Sequence, residues 1–250
     1  IVHAVNPPGY RGWAQLLVPM IDNTIAAARA EGATIVLPGN VYNYGPDAFD
    51  ALHEDAPQNP TTRKGAIRVE MERRLQAATG DGRVRVLIVR AGDFFGPHSG
   101  NNWFGQGMVK PGRPVRQVAL LAQPGVGHQF AYLPDVARTM VQLLARRAEL
   151  PAFARMHMGG HWDADGTALA CAVQRVVARR GGTTPALRRF PWWLVRVAAP
   201  FHTTLRELLE MRYLWRQPVR LDNTRLVQLL GHEPHTPLDE AIEATLAALG

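Results

Sequence analysis

Cysteine is almost absent from this chain: Cys171 is the single one in 250 residues, so no disulfide can form within it and its stability has to come from packing. That thiol lies in the apolar run from Ala168 to Val177, where a buried, inert side chain is expected rather than a nucleophile. A chain without disulfides suits a reducing compartment, and the cytoplasm is the expected location. Lysine is scarce as well, with Lys64 and Lys110 the two lysines among 28 basic residues. No apolar run approaches the roughly 18 to 20 residues of a membrane span. The nearest, Trp192 to Phe201, is broken by Arg196 and Pro200. It is expected to be core or a subunit interface, as in a homodimer, and no membrane partner is expected. A signal-peptide pattern is lacking too, and the chain opens at Ile1 inside an apolar strand-like run. It is therefore expected to start part-way through a longer protein.

What the chain does carry is a core and a positive charge. Its hydrophobic fraction of 46% is enough for a full globular core at this length, which excludes disorder as a whole. The formal charge of +7 comes from arginines scattered along the chain, with pairs at 73/74, 146/147, 179/180 and 188/189. Most of these pairs fall at expected helix ends, where they complement the dipole and face water. No aromatic-interleaved basic patch accompanies them, so nucleic acid is not expected as a partner.

Periodicity gives the organisation. Ile1 to Val5 has the pattern of a buried strand, and Trp13 to Glu31 that of a helix with Leu16, Leu17, Met20, Ile21, Ile25 and Ala28 at helical spacing. Thr34 to Leu37 follows as a second strand, Lys64 to Ala78 as a second helix and Arg85 to Arg90 as a third strand. This alternation predicts an α/β, Rossmann-like, doubly wound parallel sheet with right-handed crossovers. From Ala91 to Gly127 glycine, proline and asparagine accumulate, the composition of loops over a site. Strand Phe130 to Leu133, helix Pro134 to Arg147 and strand Arg155 to Met158 come next. Asp165 is the expected N-cap of a helix running to Arg180, and four more helices are expected near 193–197, 205–213, 224–230 and 238–249. The expected division is a nucleotide-binding domain over 1–162 and a smaller, mainly helical substrate lobe over 163–250.

Four segments in order resemble one family. Asn40-Val41-Tyr42-Asn43-Tyr44-Gly45-Pro46 follows a buried strand, at the carboxyl end where open α/β sheets bind ligands. Arg90-Ala91-Gly92-Asp93-Phe94-Phe95-Gly96-Pro97 follows the next strand, and Phe130-Ala131-Tyr132-Leu133-Pro134-Asp135-Val136-Ala137 comes later. Leu221-Asp222-Asn223, Leu230-Gly231-His232-Glu233-Pro234 and Thr236-Pro237-Leu238 close the series. Together these resemble the extended short-chain dehydrogenases/reductases, the NAD-dependent epimerase/dehydratase family. The resemblance implies NAD or NADP as cofactor and a nucleotide sugar or similar hydroxylated or carbonyl metabolite as substrate.

Two departures from that family stand out. Its Gly-x-x-Gly-x-x-Gly phosphate turn is missing, and Gly105 with Gly107 and Gly125 with Gly127 lie in loops without the strand before and helix after. The resemblance places that turn in about 60 to 70 residues ahead of Ile1, by the size of βαβ units. The family's Tyr-x-x-x-Lys pair is missing too: Lys64 stands at the tyrosine place and Arg68 at the lysine place, with Glu72 four residues on. A solvated helix start with an Arg68–Glu72 ion pair is the plainer reading. The functional reading is that Lys64 exchanges the proton or stabilises an alkoxide while Asn40, Tyr42 or Tyr44 orients the substrate oxygen. The resemblance further implies cofactor contacts from Asn6, Asn40, Lys64, Arg68, Ala91, Gly92 and Asp93. His3, His98, His128, His157, His161, His232 and His235 show no metal-ligand spacing, and His157 to Asp163 has the composition of a polar turn or a substrate contact. The alternative function is an inactive dinucleotide-binding sensor of the same fold.

Overall fold

The first long helix forms because Trp13, Leu17, Ile21, Ile25 and Ala28 recur every three to four residues and bury one face. It stops at Gly32, whose φ of 60° lets its N–H turn back to the Ala28 carbonyl. The computed structural model describes residues 1–7, 12–100 and 102–250. The elements run α1 (Trp13–Glu31), β1 (Thr34–Gly39), α2 (Arg63–Ala78), β2 (Arg85–Arg90), β3 (Asp93–Phe95), β4 (Gln117–Leu120), β5 (His128–Tyr132) and α3 (Leu133–Ala145). After these come β6 (Phe153–His157), β7 (His161–Asp163), α4 (Ala168–Arg179), β8 (Ala186–Arg189), α5 (Trp192–Ala198), α6 (Thr203–Glu210), α7 (Thr224–Leu230) and α8 (Leu238–Leu249). They gather into two compact units, one from residues 1–91, 137–158 and 221–233, the other from 92–136, 159–220 and 234–250. No helix among the described residues is long and apolar enough to cross a membrane.

In the first unit β1, β2 and β6 form a parallel sheet in that order, with Gly39 opposite Arg90 and Arg90 opposite His157. Ile35, Val36 and Leu37 of β1 and Val86 to Val89 of β2 are buried, the near-continuous apolar run of a sheet covered on both faces. α1 and α2 pack on each other. The expected strand at Ile1 to Val5 is only partly realised: Val2 makes a single parallel bridge to Val36, and Ile1, Val2 and Val5 are exposed. With one hydrogen-bonded neighbour, this segment is an edge and its apolar side chains are open to water. Leu16, also expected on the buried face of α1, is exposed.

The second unit holds two small sheets. β3 pairs parallel to β5, β7 pairs antiparallel to β5, and β4 pairs parallel to β8. Thus 91–127, expected as loop, contains two short strands, because Phe95 and Val118 are buried and draw their backbone into ladders. The N-terminal turn of α4 is held by Asp163 more than by Asp165: Asp163 accepts from the N–H groups of Gly166, Thr167 and Leu169 at 2.9, 2.9 and 3.2 Å, while Asp165 accepts from the N–H and hydroxyl of Thr167. Cys171 is half-buried rather than buried, since α4 turns Leu169, Ala172, Val173 and Val176 to the core and sets residue 171 aside.

Gly65 lets α2 start where it does. A Cβ there would lie 2.3 Å from the Tyr42 carbonyl oxygen and 2.4 Å from the Pro60 side chain. Both neighbours are short-range walls, so Gly65→Ala should push the first turn of α2 off the segment after β1. We expect a loss of about 1–3 kcal/mol, measurable by denaturant unfolding; an unchanged midpoint would mean the turn yields freely.

Candidate active site

The turn that leaves β1 is shaped by Asn40, whose side-chain oxygen accepts from the Tyr42 N–H at 3.0 Å and opens a short 3₁₀ turn over Val41–Asn43. Tyr42 is 6% exposed and Tyr44 fully buried. α2 packs against this 3₁₀ turn; Thr62 caps the helix by accepting from the Gly65 N–H at 3.0 Å. Lys64, in the first helical turn, is 2% exposed. The solvated helix start is therefore overturned: Lys64 is a buried ammonium at the carboxyl end of a parallel sheet.

The expected Arg68–Glu72 pair is also absent. Arg68 lies over the Trp13 ring, 5.2 Å from its centre, whereas Glu72 faces inward because α2 has turned it toward the end of β2. Its Oε1 accepts from Arg90 at 2.6 Å and from the Asn43 amide at 2.9 Å; its Oε2 accepts from Gln58 at 3.0 Å and Arg155 at 3.3 Å. Arg90, with no exposed surface, also donates to the Asn43 side-chain oxygen at 3.2 Å and to the Asn40 carbonyl. Burial alone pushes the Glu72 carboxyl up, but Arg90, Gln58 and Arg155 together hold it below the usual carboxylate range. Both the Asn40 carbonyl and the Asn43 side chain are thus tied to the end of β2.

Tyr44 belongs to the same interior. Its ring centre lies 4.9 Å from the Arg90 guanidinium carbon and its hydroxyl 3.1 Å from Nε2 of His157. The other ring nitrogen of His157 lies 3.2 Å from the Leu52 carbonyl. A carbonyl only accepts, so Nδ1 carries the proton and Nε2 accepts from the Tyr44 O–H. Burial, then the charge of Arg90, holds His157 well below the ordinary histidine range; burial likewise raises the Tyr44 phenol. Tyr44, a candidate to orient a substrate oxygen, donates its phenol proton to His157. His157 also donates its backbone N–H to Glu54 at 3.0 Å, so it is an interior histidine and not part of a surface turn.

The remaining candidates divide between the units. Val2 bridges Val36, so Asn6 and Asn40 each lie four residues further along the same direction, and Asn6 is exposed. Ala91 continues β2 and donates its N–H to the Gly39 carbonyl at 3.3 Å. Gly92 and Asp93 belong to the second unit. There Asp93 meets Nε2 of His128 at 2.8 Å, the Leu214 carbonyl meets Nδ1 at 3.1 Å, and the imidazole stacks on Trp215 with centres 3.8 Å apart. His161 and His235 have ring centres 4.4 Å apart, and burial followed by His235 lowers His161 to about 4. No group of three or more histidine, cysteine or acidic side chains suited to a metal occurs among the described residues.

Sequence reasoning missed the Glu72, Arg90 and His157 cluster. One signal was available: Arg90 closes the apolar run Val86 to Val89, and a charge at the end of a buried strand demands a partner.

No protein-family model and no curated protein matches the chain by sequence. Its fold is shared with solved structures. A UDP-galactose 4-epimerase superposes with TM-score 0.63 at 18% identity, over 92% of this chain and 68% of that one. UDP-glucuronic acid 4-epimerase from Bacillus cereus, in complex with NAD, gives 0.64 at 14%, over 92% and 66%. RMD from Pseudomonas aeruginosa, complexed with NADPH, gives 0.67 at 17%, over 99% and 80%. The chain thus has the α/β fold of these proteins and spans about two thirds of the length of the two epimerases.

Removing half of the buried pair leaves the other charge stranded, so Glu72→Leu should cost about 3–5 kcal/mol by chemical denaturation. The double variant Glu72→Leu with Arg90→Met should cost less than the sum of its parts; strict additivity would show that the two do not interact. A pH effect follows from the histidines. His157 and His161 stay neutral in the fold but protonate in the unfolded chain below about 6.5. Their contribution is therefore complete above about pH 6.5 and is lost as the pH falls below it, for His161 down to about 4. His161→Asn should flatten that slope in unfolding midpoints taken across the window; an unaltered slope would refute its share.

Proposed function

We propose that the chain acts as an NAD(P)-dependent epimerase, dehydratase or reductase on a nucleotide sugar or a similar hydroxylated or carbonyl metabolite, in the cytoplasm. The observation that carries this reading is the burial of Lys64 in the first turn of α2, packed on the turn that leaves β1. That is the carboxyl end of the parallel sheet, where open α/β folds take their ligands. The shared fold with epimerases bound to NAD supports the same reading.

The donor set fits one end of a dinucleotide. Lys64, Arg68 and the Asn40 side chain supply cationic and amide donors for the nicotinamide ribose and a substrate oxygen. A glycine turn for the pyrophosphate is not among the described residues. A bound nicotinamide would supply the hydride acceptor or donor. The chain's own contribution is to hold the substrate oxygen and move its proton. In this assignment Asn40 and Tyr42 orient that oxygen, and the Lys64 ammonium gives up or recovers the proton, or balances the negative charge as it forms. Lysine suits this task because its ammonium is a compact point charge, which guanidinium is not.

Turnover of hydroxylated and carbonyl substrates, nucleotide sugars first, followed by nicotinamide absorbance or by product epimer, tests the proposal. Lys64→Met keeps the stem that fills the buried site and removes the ammonium. We expect turnover to drop about 10²-fold, the scale for losing a general acid or base, with cofactor affinity changed far less. Equal turnover by the variant would remove Lys64 from the chemistry. Cofactor binding by the parent without turnover of any substrate would favour the sensor.

A further inference from the structure

The segment expected to be core or subunit interface, Trp192 to Phe201, is largely exposed on the surface of the chain. Trp193 is 66% exposed, Leu194 47%, Val197 66% and Phe201 84%. On α5 and the 3₁₀ turn that continues it, residues 193, 197 and 201 are spaced by four and line up along one side. The other side is anchored. Val195 and Ala199 are buried, and the Trp192 indole donates to the Leu121 carbonyl at 2.9 Å and packs on Phe190 and Trp103. The apolar side chains are thus presented from a firm base. Exposed tryptophan and phenylalanine are costly enough in water that such a contiguous ridge marks a contact surface.

Charge around the ridge decides what it contacts. From Arg188 to Arg216 the chain carries six arginines against two glutamates, leaving +4 of the total +7. Arg188, Arg189, Arg196, Arg206 and Arg216 are exposed, and Arg212 lies over the Trp192 ring at 5.4 Å. Arg212 is held below the usual arginine range by partial burial and by its neighbours Arg216 and Arg196, so the cations crowd one another. Glu207 and Glu210 are half-buried on α6. A second copy of this chain, meeting the ridge across a two-fold axis, would bring this basic surround against itself. A surface that accepts apolar side chains and is lined with anions satisfies both features.

We propose that the Trp193, Leu194, Val197 and Phe201 ridge with its arginine surround docks on an anionic lipid bilayer, lying in the interface without crossing it. Tryptophan and phenylalanine enter the headgroup boundary while the arginines pair with lipid phosphates above them. This departs from the sequence expectation, which placed Trp192 to Phe201 in the core or a subunit interface and foresaw no membrane partner.

The test is co-sedimentation of the full chain with vesicles of phosphatidylcholine alone and of phosphatidylcholine mixed with phosphatidylglycerol. We expect retention on the anionic vesicles only, weakened by salt. Val197→Ser with Phe201→Ser should lower it at least tenfold. Arg196→Gln with Arg216→Gln should lower it by roughly an order of magnitude. All four positions are exposed, so unfolding midpoints should match the parent, and the two pairs act as independent checks on each other. Absence of retention on anionic vesicles would overturn the proposal. So would equal retention of parent and both variants, or a solution dimer that the Val197 and Phe201 changes dissociate while vesicles are ignored.

Discussion

Glu72 and Arg90 sit with almost no exposed surface on either side chain, 2.6 Å apart, and neither could be buried alone. Isolated burial of a carboxylate or a guanidinium costs several kcal/mol even after relaxation. The cost is offset here because the carboxylate receives four donors and the guanidinium reaches two acceptors beyond it. The partners come from different elements: Glu72 from α2, Arg90 from the end of β2, Arg155 from β6, and Asn40 and Asn43 from the turn after β1. One ion pair therefore sets the relation among three strand ends and one helix. An apolar pair would match it in stability only with the remaining donors satisfied elsewhere, which is why the cluster specifies an arrangement as well as holding it.

Lys64 and Asn40 inherit their positions from that cluster. The Asn40 carbonyl and the Asn43 side chain are fastened to Arg90, so the 3₁₀ turn between them has little freedom. Gly65 allows the first turn of α2 to close against it. A side chain proposed to move a proton, as Lys64 is, gains most when its surroundings are settled before the substrate arrives. Tyr44 and His157 contribute on the structural side of this division: their hydrogen bond lies within the unit, and the proton that a phenol would offer to chemistry is used to hold the imidazole.

The second unit solves its packing differently. Trp103, Trp192 and Trp215 build an aromatic centre with Phe95, Phe104, Phe130 and His128, and the charges Asp93 and Asp163 are spent on a histidine and a helix start. That centre buries one side of α5 and leaves the other facing out, which is how the ridge at Trp193, Val197 and Phe201 comes to be firmly mounted and bare at once.

Periodicity was enough to locate α1, α2, α4, α7, α8, the strand Arg85–Arg90 and the first four residues of β1, because hydrophobic spacing is a local property that burial then enforces. The parallel sense of β1, β2 and β6 agrees with the parallel sheet that the same alternation predicts, whereas their order is a finding of the structure. Motif order along the chain pointed to the fold that the solved epimerases share. Local spacing could not say which way Glu72 faces. On a helix surface Arg68 is its natural partner four residues away, and only the approach of β2 and β6, brought from 18 and 83 residues away, turns it inward. The same holds for Lys64, whose burial depends on a turn more than 20 residues earlier, and for Phe201, whose exposure depends on what fails to pack over it. The sequence by itself determined the elements and their order, since these rest on short-range periodicity. Tertiary structure alone decided which charges are buried and which apolar side chains stay in water, because burial is a property of contacts between segments and not of any segment.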